Sequence, residues 1–434
     1  MEFFQRIIKF ANQNSSKTKK NKSPKEVYES VNKVFDLMLD NKLRDNMDDS
    51  LLRQLSKVFS ETFCDIGCFE TKEEKLCAIH DFLTSTQALH FSEKAILSLK
   101  SKDTKLPVAV QCFAIELIGI LFSNEDLFIS YKESTILKEF STAAHKISVL
   151  TSPPSIQASI LDCFINLAKH PRGILWLNEE DLMPFAYSHF TSYLVAKSAF
   201  EFFKRALFNW ESSETSSLSM EEQSALNTIL EKIVVDLLAM IRCKDEGMRI
   251  QDHYCTHCIS ALKECSEIPN VRRVIDKNSD VKVSISKYFQ CLEKEDDVNR
   301  EILSFISTVL KSDGVSEFLL RDCINSLLSK SLFASAITLM GFILRVPGRY
   351  ASLTTKHIQL LIMPLQILSG NIAVGEDIFH LPLNKVCDSM TKAVGVKVDC
   401  TKNVISSLLA LADVTHLMDL EVLQFPSLLI VITI

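Results

Sequence analysis

Apolar residues recur at helical spacing along almost the whole chain from Glu26 onward. The pattern is plain in VYESVNKVFDLML, VAVQCFAIELIGILF, IQASILDCFINLA, LNTILEKIVVDLLAMI and FASAITLMGFIL, whose apolar positions gather on one face of a 3.6-residue helix. Strand-like alternation is scarce. The breaks are short and polar or proline-bearing: SKDTKLP, TSPPS, RVPGR and the serine-rich ESSETSSLS from Glu211 to Ser219, of which only the last is long enough for a flexible loop. The expected organisation is a flexible basic segment over 1–25, helical repeats over 26–210, a serine-rich loop over 211–220, and further helical repeats over 221–434.

The helices repeat. FAIELIGILFSNEDLFISYKESTILKEF, from Phe113, lies over ILDCFINLAKHPRGILWLNEEDLMPF, from Ile160. With Ile118 on Ile165 the offset is 47 residues, and one gap brings Ile136 and Leu137 onto Leu182 and Met183. ASAITLMGFILRVPGRYASLTTKHIQLLI, from Ala334, aligns with Leu344 on Ala168 and Pro347 on Pro171. QDHYCTHCISALKECSEIPNVRRVIDKN places Cys258 on Cys163 and Leu262 on Leu167. Each copy has an apolar helix, a polar or proline turn and a second amphipathic helix, with a period in the ~40–47 residue range of HEAT and armadillo units. The predicted fold is an all-α, HEAT/armadillo-like α-solenoid of antiparallel helix pairs.

Composition narrows the function. Among 434 residues there are only 10 glycines and 47% are apolar, enough to bury a substantial core. Neither GxGxxG nor GxxxxGK[ST] occurs, so a phosphate-cradling loop is not expected. The formal charge of −6 is spread along the chain, which does not predict direct nucleic-acid binding. The 13 cysteines are odd in number and irregularly spaced; they read as reduced, buried thiols of an intracellular protein. No apolar run approaches the ~18 residues of a spanning helix, so no membrane association is expected. Near the start, SSKTKKNKSPK carries Lys17, Lys19, Lys20, Lys22 and Lys25 and reads as a solvated linker, with a nuclear address and a mitochondrial presequence as the alternatives.

Candidate chemistry is sparse. On a helical wheel for QDHYCTHCISALKEC, Cys258, Leu262 and Cys265 share the apolar face while His253 and His257 fall off it. The two sets do not converge, and Cys255-x-x-Cys258 lacks a second CxxC partner. No metal, cofactor or catalytic residue is assigned. Glu179, Glu180 and Asp181 read as the acidic opening of a helix. A partner-binding surface is expected at Phe202, Lys204 and Arg205 in AFEFFKRALFNW, where Phe200, Phe203 and Leu207 face the core, and at the basic pair Arg272 and Arg273 beside SEIPN.

The runs CFAIELIGILFSNEDLFISYKESTILKEF, INLAKHPRGILWLNEED and SYLVAKSAFEFFKRAL, in that order between Cys112 and Leu207, resemble the N-terminal half of the BRCA-associated ATM activator family. The resemblance implies a non-catalytic HEAT-repeat adaptor of nucleus and cytoplasm. Its implied partners are the ATM kinase in the DNA-damage response and the endonuclease subunits of the Integrator complex, whose contact lies in the family's far C-terminal end. This chain stops at FPSLLIVITI, an apolar end without a capping helix, and is expected to be a shortened form. The alternative is a proteasome assembly chaperone of HEAT-like repeats, which shares the helix–turn–helix pattern.

Overall fold

A computed structural model describes residues 24–40, 49–64, 71–100, 106–147, 152–188, 192–211, 218–241, 252–277, 302–306, 317–330, 332–344, 353 and 357. The described residues are all-α, without a strand. The helices, in chain order, are α1 (Pro24–Leu39), α2 (Asp49–Cys64), α3 (Lys72–Ser85), α4 (Ala88–Lys100), α5 (Val108–Leu121), α6 (Glu125–Tyr131), α7 (Thr135–Lys146), α8 (Pro154–Leu167), α9 (Pro171–Glu179), α10 (Met183–Ser188), α11 (Tyr193–Phe208), α12 (Met220–Ile241), α13 (Asp252–Cys265), α14 (Pro269–Lys277), α15 (Glu317–Ser329) and α16 (Phe333–Leu344). The chain forms two compact units, Met1–Leu230 and Glu231–Ile434. The division falls within α12 rather than in the serine-rich stretch.

In the first unit every third helix packs on the next. α2, α5, α8 and α11 form one stack, and α1, α4 and α7 form another beside it. This is the layering of an α-solenoid, in which each repeat touches its neighbours. The short α6 and α9 also meet. The amphipathic second helix expected from the sequence is therefore divided into two, α6 with α7 and α9 with α10. α5 is apolar nearly all round (VAVQCFAIELIGIL) and is buried nearly all round, because it lies between α2 and α8 with α4 beside it. Phenylalanines key the layers together: Phe35 of α1 stacks on Phe91 of α4 at 4.8 Å, and Phe164 of α8 meets Phe140, Phe185 and Phe202 edge-on. At Gly119 the backbones of α5 and α8 approach closely, since a Cβ there would stand 2.7 Å from the Cα of Cys163.

Helix ends leave backbone carbonyls without intrahelical donors, and inside a stack water does not reach them. Here the following repeat supplies the donor. His170 caps α9 by accepting the Gly173 N–H on Nδ1 at 3.0 Å, and its Nε2 lies 3.1 Å from the carbonyl of Phe122, the residue that ends α5. One repeat on, the Asn209 amide at the end of α11 donates to the carbonyl of Ala168, the residue that ends α8. Arg172 of α9 ties three successive repeats of the first unit, pairing with Glu125 of α6 at 3.2 Å and Glu222 of α12 at 3.1 Å.

These caps fix the repeat register. Phe122 is equivalent to Ala168 and Asn124, the cap of α6, to His170, the cap of α9. The repeat is thus one residue shorter at this turn than the match of Ile118 with Ile165 suggests; Ile118 corresponds to Phe164. In the second unit α13 ends at Cys265 and α14 begins at Pro269, so Cys265 corresponds to Leu167. The match of Cys258 with Cys163 is three positions off, close to one helical turn, which preserves the buried face. The third copy's RVPGR turn lies outside the described residues. The acids Glu179 to Asp181 close α9 instead of opening a helix. Asp181 takes a left-handed conformation with φ of 53° and the Leu182 N–H returns to the Leu177 carbonyl at 2.9 Å, a helix-ending turn that aspartate tolerates better than most residues.

Two outcomes follow for stability. Burial pushes the His170 pKa down to about 4, against about 6.5 in an unfolded chain. The fold favours the neutral ring, because a proton on Nδ1 displaces the Gly173 N–H. This contribution is complete above pH 6.5 and disappears as pH falls through about 4. Urea titrations of wild type and His170→Ala between pH 4 and 8 are expected to differ by about 2–4 kcal/mol at pH 7.5, from two lost buried hydrogen bonds, and by less at pH 4.5. Gly119→Ala is expected to destabilise by about 1–3 kcal/mol through overpacking against the α8 backbone, read from the same titrations.

Candidate functional site

Small side chains on one face of α5 and α8 leave a groove open along the stack. On α5 the face runs Val108, Ala109, Cys112, Glu116, and on α8 it runs Ser155, Ala158, Ser159, Asp162, in each case the i, i+3/i+4, i+7/i+8 spacing of one helical stripe. Leu52 of α2 and Leu194 of α11 close the sides, and the space enclosed is about 290 Å³. Two exposed apolar groups stand at its margin, Val108 at 40% and Leu194 at 50% exposure.

The groove has a polar floor built from four helices. Glu116 accepts hydroxyl hydrogen bonds on both oxygens, from Ser56 of α2 and from Ser159 of α8, the latter at 3.1 Å. Asp162 accepts from Ser198 of α11. Burial raises the Asp162 pKa to about 6; the Ser198 hydrogen bond opposes the rise, the Glu116 carboxylate adds to it, and Lys197 offsets it slightly. The two acids are the same position in successive repeats, since each lies six residues before its helix's closing residue, Phe122 or Ala168. The one-residue slip in the sequence alignment sets Glu116 opposite Cys163 and conceals this equivalence. A signal was present nonetheless: Glu116 is the one charged residue in VAVQCFAIELIGIL, and Asp162 the one in PSIQASILDCFINL.

The residues expected from sequence lie elsewhere or are engaged. Phe202 is fully buried, 5.8 Å from Phe164 and 5.5 Å from Phe203. It is a core residue and not a surface contact, because α11 is packed by α8 on one side and α10 on another, so its buried arc exceeds one amphipathic stripe. Phe200, Phe203 and Leu207 are buried as expected. Lys204 pairs with Glu201 at 2.7 Å, and Arg205 is half-buried on the same helix. Arg272 bonds the Ser266 carbonyl at 3.1 Å and Glu267 at 3.4 Å, while Arg273 reaches Glu231 at 3.7 Å. The basic pair is thus engaged within its own unit. In α13, Cys258 and Cys265 are buried, and the Cys258 thiol donates to the Leu237 carbonyl at 3.1 Å. The side chains of His253 and Cys255 lie outside the described residues. Among the described residues no three His, Cys, Asp or Glu converge on a metal position, and no helix is long and apolar enough to cross a membrane.

Asp162 carries a measurable cost. A carboxyl whose pKa is raised in the fold contributes stability that is complete below the unfolded value of about 3.9 and is lost as pH rises through about 6. Asp162→Asn is therefore expected to stabilise the protein by roughly 2 kcal/mol at pH 8 and to leave it nearly unchanged at pH 4, in urea titrations at the two pH values.

No family model matches the chain, and no curated protein matches it. Among solved structures, the crystal structure of an engineered protein from the Northeast Structural Genomics Consortium aligns with 88% of this chain and 99% of its own, at 12% identity and a TM-score of 0.31. A likeness that low carries neither the fold nor a function, which rest on the packing and the groove described above.

Proposed function

We propose that this chain is a non-catalytic helical-repeat adaptor, and that the groove on α2, α5, α8 and α11 is the surface on which it holds a segment of a protein partner. The observation that carries this reading is the repeat-equivalent pair Glu116 and Asp162 on the groove floor. Burial raises the Asp162 pKa, and a perturbed carboxylate in a cleft points to a functional position. The lining favours holding over chemistry. Around the pair stand Val108, Ala109, Ala158 and Leu194, small and aliphatic side chains that contact a partner without orienting a reacting bond. A repeat array suits such a role, because consecutive helices continue one surface.

The sequence resemblance supplies the first partners to examine, the ATM kinase and the Integrator endonuclease subunits, with nucleus and cytoplasm as the place of action. The assembly-chaperone alternative supplies proteasome base ATPases instead. Tagged full-length wild type and Leu194→Asp are to be recovered from cells of the protein's own species and their bound proteins identified by mass spectrometry. Leu194 is half-exposed, so its replacement should leave the fold intact. The expected result is a set of partners retained by wild type and reduced at least about tenfold with the variant, the size of effect of a charge placed in an apolar contact. Equal recovery by both proteins overturns the groove reading.

A further inference from the structure

The chemistry of the groove floor narrows what the partner brings. Two other partly buried acids of the first unit meet a cation: Glu125 pairs with Arg172 at 3.2 Å, and Glu139 pairs with Lys100. Glu116 and Asp162 meet serine hydroxyls, and among the described residues neither stands in an ion pair. They lie close enough that Glu116 makes Asp162 harder to ionise. Exposed Lys197 acts on Asp162 more weakly than Ser198 or Glu116 does. The floor of a partly enclosed, largely apolar space thus holds two neighbouring carboxyl groups that accept from hydroxyls, with the repulsion between them not offset by an ion pair among the described residues.

A cation entering from outside relieves that repulsion, and two features select its form. Both oxygens of Glu116 already accept hydroxyl hydrogens, which leaves lone pairs for an N–H donor but not the full oxygen shell that a hard divalent ion requires. The walls are largely apolar: Leu52, Val108, Ala109, Phe113, Ala158 and Leu194 line the space with the carboxylates. An ammonium or guanidinium on a methylene stem matches both, with its charge on the floor and its stem along the walls. The volume of about 290 Å³ lies at the small end of ligand pockets and fits a side chain better than a whole cofactor.

We infer that the groove receives a lysine or arginine side chain from an extended segment of a protein partner, its cation bonded to Glu116 and Asp162 and its stem packed between Val108 and Leu194. This rests on the groove being the adaptor's binding surface, and adds the chemistry of what it reads. The two carboxylates supply specificity and the apolar margin supplies contact area. Raised ionic strength weakens the interaction only in part, since a partly enclosed pair is screened less than an exposed one.

The test is to pan a displayed library of random dodecapeptides against the full-length protein, then to measure the enriched peptides by fluorescence anisotropy. The comparison proteins are wild type, the double variant Glu116→Gln with Asp162→Asn, and Leu194→Asp, each checked for its helical circular dichroism. The expected result is a consensus with lysine or arginine at one fixed position. Replacing that residue by norleucine or citrulline should weaken binding at least about tenfold, the scale for removing one partner of an enclosed charge pair, and the double variant should show the same loss. Peptides that lack a fixed cation, or that bind the double variant as tightly as wild type, overturn the inference; if their binding still falls with Leu194→Asp, the groove remains the binding surface. Peptides indifferent to all three substitutions, or no enrichment at all, overturn the inference and the groove reading together.

Discussion

A buried helix that ends inside a stack leaves a carbonyl that water cannot reach, and an unpaired buried carbonyl costs on the order of 1–3 kcal/mol. The first unit depends on how this constraint is met. The Phe122 carbonyl at the end of α5 is met by His170, and the Ala168 carbonyl at the end of α8 by Asn209. In both cases the donor belongs to the next repeat, so a helix is completed only when its successor is in place. Local helix formation and repeat-to-repeat stacking are thereby made one event. The same bonds hold the register in which Glu116 and Asp162 come to the same level of the groove.

Close packing and the open groove arise from one choice of side chains. Where α5 and α8 must touch, Gly119 lets the backbones meet. On the neighbouring stripe Ala109, Cys112, Ser155, Ala158 and Ser159 are short, and the space they leave is the cavity. Large residues there would fill it and gain burial, at roughly 25 cal/mol per Å². The chain instead keeps small walls and two acids on the floor, one of them with its pKa raised to about 6. That arrangement gives up stability, whereas the phenylalanine contacts deeper in the stack supply it.

Much of the helical architecture was legible in the hydrophobic period, because burial of one face is written directly into residue spacing. The repeat was legible too, but its register was not. Alignment by apolar character placed Ile118 on Ile165, since isoleucine on isoleucine scores well, whereas caps align Ile118 with Phe164. The decisive groups are a histidine ring and an asparagine amide whose partners lie 48 and 41 residues away, contacts that no local pattern reports. Phe202 misled for a related reason: the wheel assumes one buried stripe, and α11 is covered on two sides. The acids Glu179 to Asp181 misled because composition alone does not separate a helix's beginning from an aspartate-bearing left-handed ending.

The most direct measurement is the titration of Asp162 by carbon-13 NMR, with aspartate labelled at Cγ, in wild type and in Glu116→Gln. The register and the groove together require a pKa near 6 in wild type, falling with Glu116→Gln but staying above the ordinary aspartate value of about 3.9, because burial is the larger influence. An ordinary value in wild type, unaffected by Glu116→Gln, contradicts both the enclosure of Asp162 and its pairing with Glu116, and with them the account of the groove.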